Sequence, residues 1–144
     1  MSGSIIARLG RDRQGAVLIE FAILAPAILA MMLAVFQIGI GMQNYNALRA
    51  VAAETARYSV VNYQTANKLS TTQLRNYARS IASAPPYQLL ADRFDAAVAP
   101  ATKQRVAGAT EMTITVTYTV PTVLAVIGLE DIPISFSRPI FVVT

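Results

Sequence analysis

The sequence predicts an α+β protein in which a long N-terminal transmembrane helix continues into a small outer domain. Residues 15–42 are almost entirely apolar and hold a single acid, Glu20. Beyond Met42 the apolar residues keep a helical spacing, and residues 112–120 alternate strictly between apolar residues and threonine. Strict alternation is typical of a half-buried strand. We therefore expect a second helix and an antiparallel sheet of two to four strands after the first helix.

Composition narrows the possible classes of function. The 144 residues leave room for one anchor and one small domain, which we divide into a basic leader (1–15), a transmembrane helix (16–42) and an extracytoplasmic domain (43–144). Cysteine and histidine are both absent. Their absence removes disulfides, the usual general base and the commonest metal ligand. Because no phosphate loop, nucleophile elbow or metal-ligand spacing occurs either, we expect no enzyme, no catalytic residue, no metal and no cofactor.

The net charge of +4 is spread along the chain rather than gathered in one patch. No basic stretch interleaved with aromatic residues occurs, so we expect no nucleic-acid partner. The local exception is Arg8, Arg11 and Arg13, which precede the apolar run with only Asp12 among them. By the positive-inside rule these arginines orient the chain in the membrane, with residues 1–14 in the cytoplasm and the C-terminal domain outside.

The apolar run is long enough to cross about 30 Å of hydrocarbon, and it is longer than the core of a secretory signal, which is about 7–15 residues. Glu20 makes membrane insertion of this run less favourable, because a charged residue in a membrane helix raises the insertion free energy by about 2.5–3.5 kcal/mol. Cleavage after Gly15 would make Ala16 the first residue and place a new ammonium group about one helical turn from the carboxylate. Alternatively, Glu20 reaches the cytoplasmic interface of an uncleaved anchor, and Gly15 is an ordinary glycine before a helix.

Gln14-Gly15-Ala16-Val17-Leu18-Ile19-Glu20-Phe21-Ala22, with Arg11 ahead of it, resembles the opening motif of TadE/TadF-like proteins, which are pseudopilins of the tight-adherence (Tad, Flp-type) pilus system. The resemblance implies a pilin-like fold and cleavage by a prepilin peptidase between Gly15 and Ala16. It implies that Glu20 and Phe21 serve recognition and assembly. The implied partners are the prepilin peptidase, other pseudopilins, the major pilin, the inner-membrane assembly platform and membrane lipid. The implied location is the bacterial inner membrane.

The first helix is predicted to run without interruption from about Ala16 to Val61, because no proline occurs in residues 27–84. Five residues on one face continue the helical spacing past the membrane: Tyr45, Leu48, Val51, Thr55 and Tyr58. Glu54 and Arg57 are spaced for an intrahelical ion pair. The alternative is a membrane helix joined to a separate surface helix by a hinge near Gly39–Gly41.

A second helix should begin at Ser70, which has a capping-box partner in Gln73, and should end before Pro85-Pro86. Its apolar stripe comprises Leu74, Tyr77, Ala78 and Ile81.

Strands are predicted near 94–98, at 112–120 and at 132–143, with 99–108 as a loop and a short helix within 122–131. Pro133 and Pro139 make the last strand an edge strand or break it at Pro139. The threonine face of the middle strand is either solvated or paired with another subunit.

Two functions remain open from the sequence. The first is a TadE-like pseudopilin or minor pilin, acting as a structural or priming subunit in pilus assembly. The second is an uncleaved single-pass adaptor of another envelope complex, which would keep residues 1–14 as a cytoplasmic tail.

Overall fold

The computed structural model describes residues 13–65 and 67–143, in which two helices pack on one face of an antiparallel sheet. The predicted α+β class is confirmed, and three strands form the sheet in the described residues. The elements are α1 (Arg13–Gln64), α2 (Thr71–Ser83), β1 (Phe94–Pro100), β2 (Ala109–Val120), a 3₁₀ helix (Val123–Ile127) and β3 (Ile132–Val143).

Helix α1 contains 52 residues and is about 78 Å long at 1.5 Å per residue. It continues through Pro26, where a missing backbone N–H removes only one hydrogen bond of the helix. It also continues through Gly39 and Gly41, so the alternative of a hinge at these glycines is not found. The helix extends three residues beyond the predicted bounds at each end, where no proline interrupts it.

Helix α2 begins with the predicted capping box. The Gln73 N–H donates to Ser70 Oγ at 3.2 Å, and the Ser70 N–H donates to Gln73 Oε1 at 2.8 Å. The helix ends at Ser83, ahead of the two prolines. Leu74 and Ala78 of the predicted stripe are buried. Ala82, which was not part of the predicted stripe, is buried as well. Tyr77 stacks on Tyr58 of α1 with ring centroids 3.9 Å apart, so the stripe packs against the first helix.

The sheet has the strand order β1-β2-β3, with both pairs antiparallel. Strand β2 begins at Ala109, three residues before the predicted start, because it continues to pair with the end of β3 (Ala109 with Val143). Strand β3 passes through Pro139 without a break and lies at the edge of the sheet. An edge strand tolerates proline because one side of its backbone has no strand to donate to.

The two faces of β2 differ as the alternation predicts. Its apolar side is buried against the helices, as shown by Ile114, Val116, Tyr118 and Val120. Its threonine side is partly or fully open in this chain, and Thr115 Oγ1 lies 2.9 Å from Ser137 Oγ on β3.

The core lies between this apolar face, α2 and the second half of α1. Its buried members on α1 are Leu48, Val51, Ala52 and Ala56, and those on the sheet include Phe94, Ala96, Val116 and Ile140. Thr55 is also buried, and its hydroxyl donates to the Val51 carbonyl at 2.8 Å, so the hydroxyl is satisfied within the helix. The first half of α1 takes no part in this core.

Candidate functional site

The first half of α1 carries the motif residues and leaves its apolar side chains uncovered. Between Val17 and Phe36 the large apolar residues are exposed on every side of the helix, with values such as 68% for Leu18 and 71% for Val35. By length and composition this helix can cross a membrane. An exposed apolar N-terminal helix of this kind fits a single-pass membrane protein.

Gly15 lies inside α1, and a Cβ atom added there would meet no other atom within 4 Å. Neither the backbone conformation nor the packing of this chain therefore requires glycine at this position. Among the described residues, the fold gives no reason for glycine at position 15.

Glu20 lies one helical turn after Ala16, about 6 Å along the axis. Its side chain is exposed, and Phe21 beside it is also exposed. Within residues 13–65 and 67–143 no side chain or backbone group donates a hydrogen bond to the Glu20 carboxylate. A carboxylate among exposed apolar residues needs a partner once water is removed.

Of the three arginines expected to orient the chain, Arg13 is the first residue of α1. Arg8 and Arg11 lie outside the described residues, so their orienting role stays a prediction.

Gln37 is a structurally important residue that was not predicted from the sequence. It lies within the apolar run, yet it is only 4% exposed. Its Nε2 donates to the Pro121 carbonyl at 3.2 Å, and its Oε1 accepts from the Val123 N–H at 2.9 Å. The signal available in the sequence was a lone amide side chain in an otherwise apolar helix. This amide joins α1 to the segment between β2 and β3.

The segment that Gln37 holds is itself tied down by polar contacts. Thr122 Oγ1 accepts from the Leu124 N–H at 3.1 Å and so begins the 3₁₀ helix. Asp131 accepts from the Thr122 N–H at 2.9 Å and from Arg93 at 2.5 Å. The hydrogen bond from Arg93, followed by that from Thr122, holds the pKa of Asp131 below its usual range. Residues distant in sequence thus converge on one short connection.

Two further acids of the folded domain pair with arginines. Asp95 lies between Arg75 and Arg79, at 3.2 and 2.9 Å. Glu111 is buried on the outer side of β2, where it accepts hydrogen bonds from the backbone and the guanidinium of Arg105. Since these arginines are paired with acids, they do not form a free basic patch. In the part of the chain that the structure describes, no group of three or more possible metal ligands comes together.

Residues 15–57 match the family model described as TadE-like protein. No curated protein and no solved structure matches the chain. The matched segment begins at Gly15, includes Glu20 and Phe21, and ends on α1 where the helix packs against the sheet. The resemblance to the TadE-like family that the residues around Gly15 and Glu20 predicted is therefore confirmed over residues 15–57.

Proposed function

We propose that this chain is a non-enzymatic subunit of a Tad-type pilus machinery, acting as a TadE-like pseudopilin or minor pilin with a structural or priming role. The observation that carries the proposal is the position of the family match at residues 15–57. It covers the exposed apolar helix with Gly15, Ala16 and Glu20, and it ends before α2 and the sheet. The part shared with the family thus includes the whole of the apolar stretch that this chain leaves uncovered, together with the start of the helical face that packs on the sheet.

An uncovered apolar helix whose Glu20 carboxylate has no hydrogen-bond donor among the described residues is suited to packing beside other helices of its kind. Lipid can cover the apolar residues but offers no strong partner to Glu20. The ammonium group of a chain that starts at Ala16, either its own or that of a neighbouring subunit, supplies the opposite charge at the right depth. Pairing of this kind sets the relative height of adjacent helices, which is what an assembling fibre needs.

The partners follow from this role. A prepilin peptidase cleaves between Gly15 and Ala16, and other pseudopilins and the major pilin pack against α1. The inner-membrane assembly platform receives the subunit while α1 is still in lipid. The chain is placed in the bacterial inner membrane with its N-terminus in the cytoplasm and its folded domain outside.

The decisive experiment is the N-terminal sequence and intact mass of the protein purified from its native membrane. A chain starting at Ala16 is expected. Gly15→Val should block this processing, because a peptidase that recognises the glycine cannot accept a branched side chain. Gly39→Val is the matched control, since Gly39 lies in the same helix and has the same free space around its Cβ position.

A wild-type chain that retains residues 2–14 would contradict the proposal and favour the uncleaved adaptor. A wild-type chain that starts at Ala16 together with a normally processed Gly15→Val variant would show that Gly15 is not a recognition residue.

A further inference from the structure

The sheet lies along α1 with one end directed toward the exposed half of the helix. Near that end Gln37 contacts Val123, and farther along the helix Tyr45 packs edge-on against Phe136, with ring centroids 6.1 Å apart. Strand β3 therefore begins near the exposed apolar part of α1 and runs in the same direction as the helix, toward its C-terminal end. We call residues 121–132, which close the near end of the sheet, the base segment. The loop at 101–108 closes the opposite end.

The position of Gln37 sets the height of the base segment above a membrane. Residues 17–36 form about 20 residues of helix, or about 30 Å, which is the thickness of a hydrocarbon core. Gln37 follows immediately and is already buried by the folded domain. If α1 spans the bilayer with residues 17–36, the base segment lies at the level of the lipid headgroups.

The base segment presents apolar side chains where a connection is normally polar. Val123 is 39% exposed, Leu129 is 51% exposed and Ile132 is 46% exposed. All three lie in the base segment, which the Gln37 amide joins to α1. Exposed apolar groups gathered at one end of a small domain indicate a contact surface.

Several polar groups of the base segment form hydrogen bonds within the chain. The backbone of residues 121–123 is bonded to Gln37 and Asp131, and Gly128 ends the 3₁₀ helix in a left-handed conformation with φ of 83°. Asp131 is paired with Arg93, which leaves Glu130 as the exposed acid of the segment. The apolar side chains are thus held in place rather than exposed by fraying.

We propose that the base segment is an interfacial membrane contact, in which Val123, Leu129 and Ile132 rest in the headgroup region of the leaflet from which α1 emerges. The proposal rests on the membrane-spanning role proposed above for α1. It places the outer end of the hydrocarbon-spanning segment near Phe36 rather than at Met42. Apolar side chains at this level enter the boundary between headgroups and acyl chains, about 5–10 Å deep. The domain is then held upright at the bilayer surface until the subunit is extracted.

The absence of cysteine allows the contact to be measured with single labels on the full chain. Leu129→Cys and Val106→Cys form a matched pair, because both residues are 51% exposed and lie at opposite ends of the sheet. Leu29→Cys, in the middle of the apolar half, reports whether α1 itself is inserted. Each variant is labelled with an environment-sensitive fluorophore and reconstituted in phosphatidylcholine vesicles.

A lipid-borne nitroxide and aqueous iodide then serve as quenchers. The labels at 29 and 129 are expected to be quenched by the nitroxide and protected from iodide, whereas the label at 106 is quenched by iodide alone. A label at 129 that behaves like the one at 106, while the label at 29 is in lipid, would overturn the interfacial contact and leave the anchor intact. Protection of 129 from both quenchers would indicate burial against protein and would also overturn it. Exposure of the label at 29 to iodide would refute the anchor as well.

Discussion

Gln37 and Val123 are separated by 86 residues and joined by a 2.9 Å hydrogen bond from the Val123 N–H to Gln37 Oε1. The same amide donates to the Pro121 carbonyl. One side chain therefore satisfies two backbone groups of the connection between β2 and β3. This contact attaches the base segment of the folded domain to α1 and limits rotation of the domain about the helix.

Gln37→Leu should lower the free energy of unfolding of the folded domain by about 1–3 kcal/mol, because two hydrogen bonds of roughly 0.5–1.5 kcal/mol each are lost. The measurement is urea denaturation of the full chain in a mild detergent, followed by circular dichroism. Gln43→Leu, the same substitution at an exposed position of the same helix, is the control and should change little. Equal stability of Gln37→Leu and wild type would show that the amide is dispensable.

Glu20→Ala should leave membrane insertion intact, since it removes a charge from an apolar segment, but it should impair pilus assembly by removing the partner of the mature N-terminus. Membrane fractionation and counts of pili on cells measure the two effects separately. Ile23→Ala, an exposed apolar position on the same helix, should assemble normally. Normal piliation in Glu20→Ala would eliminate the proposed pairing.

Glu111 should make the domain sensitive to acid. The hydrogen bond from Arg105 outweighs burial and lowers the pKa of Glu111 below its usual value. A group whose pKa is lowered by folding stabilises the fold above its unfolded pKa, about 4.3, and this contribution disappears as the pH falls through the folded pKa. Wild type should therefore lose its stability advantage over Glu111→Gln between about pH 5 and the lower, folded pKa of Glu111.

Urea denaturation midpoints at pH 7 and at pH 3 measure this effect. Asp95, Asp131 and Glu54 also have lowered pKa values, so the informative quantity is the difference between wild type and the variant rather than the slope of either. Glu130→Gln, an exposed acid, controls for the loss of a charge. A difference that stays constant from pH 7 to pH 3 would contradict the role of Glu111.

Ser70→Ala should destabilise the domain by about 1 kcal/mol, because it removes the Oγ atom that accepts from the Gln73 N–H. The Ser70 N–H can still donate to Gln73 Oε1 in the variant. Thermal unfolding followed by circular dichroism would show a lower midpoint. Ser80→Ala, at an exposed position inside α2, should leave the midpoint unchanged or slightly raised, since alanine favours the helix interior. Equal effects of the two substitutions would mean that the cap is not used.

The elements with local signals could be predicted from the sequence alone. The apolar run, the capping box at Ser70 and the alternation along β2 specify a long helix, a second helix and a half-buried strand. The short pattern from Gly15 to Glu20 likewise pointed to the family, because neighbouring residues of one helix carry it. The early start of β2 at Ala109 could not be predicted, since it depends on pairing with distant Val143. The burial of Gln37 in the folded domain is likewise a tertiary contact. The two hydrogen-bond partners of Gln37 are backbone groups in a connection far along the chain. Every residue carries a backbone carbonyl, and nearly every residue an N–H, so no sequence pattern identifies such partners.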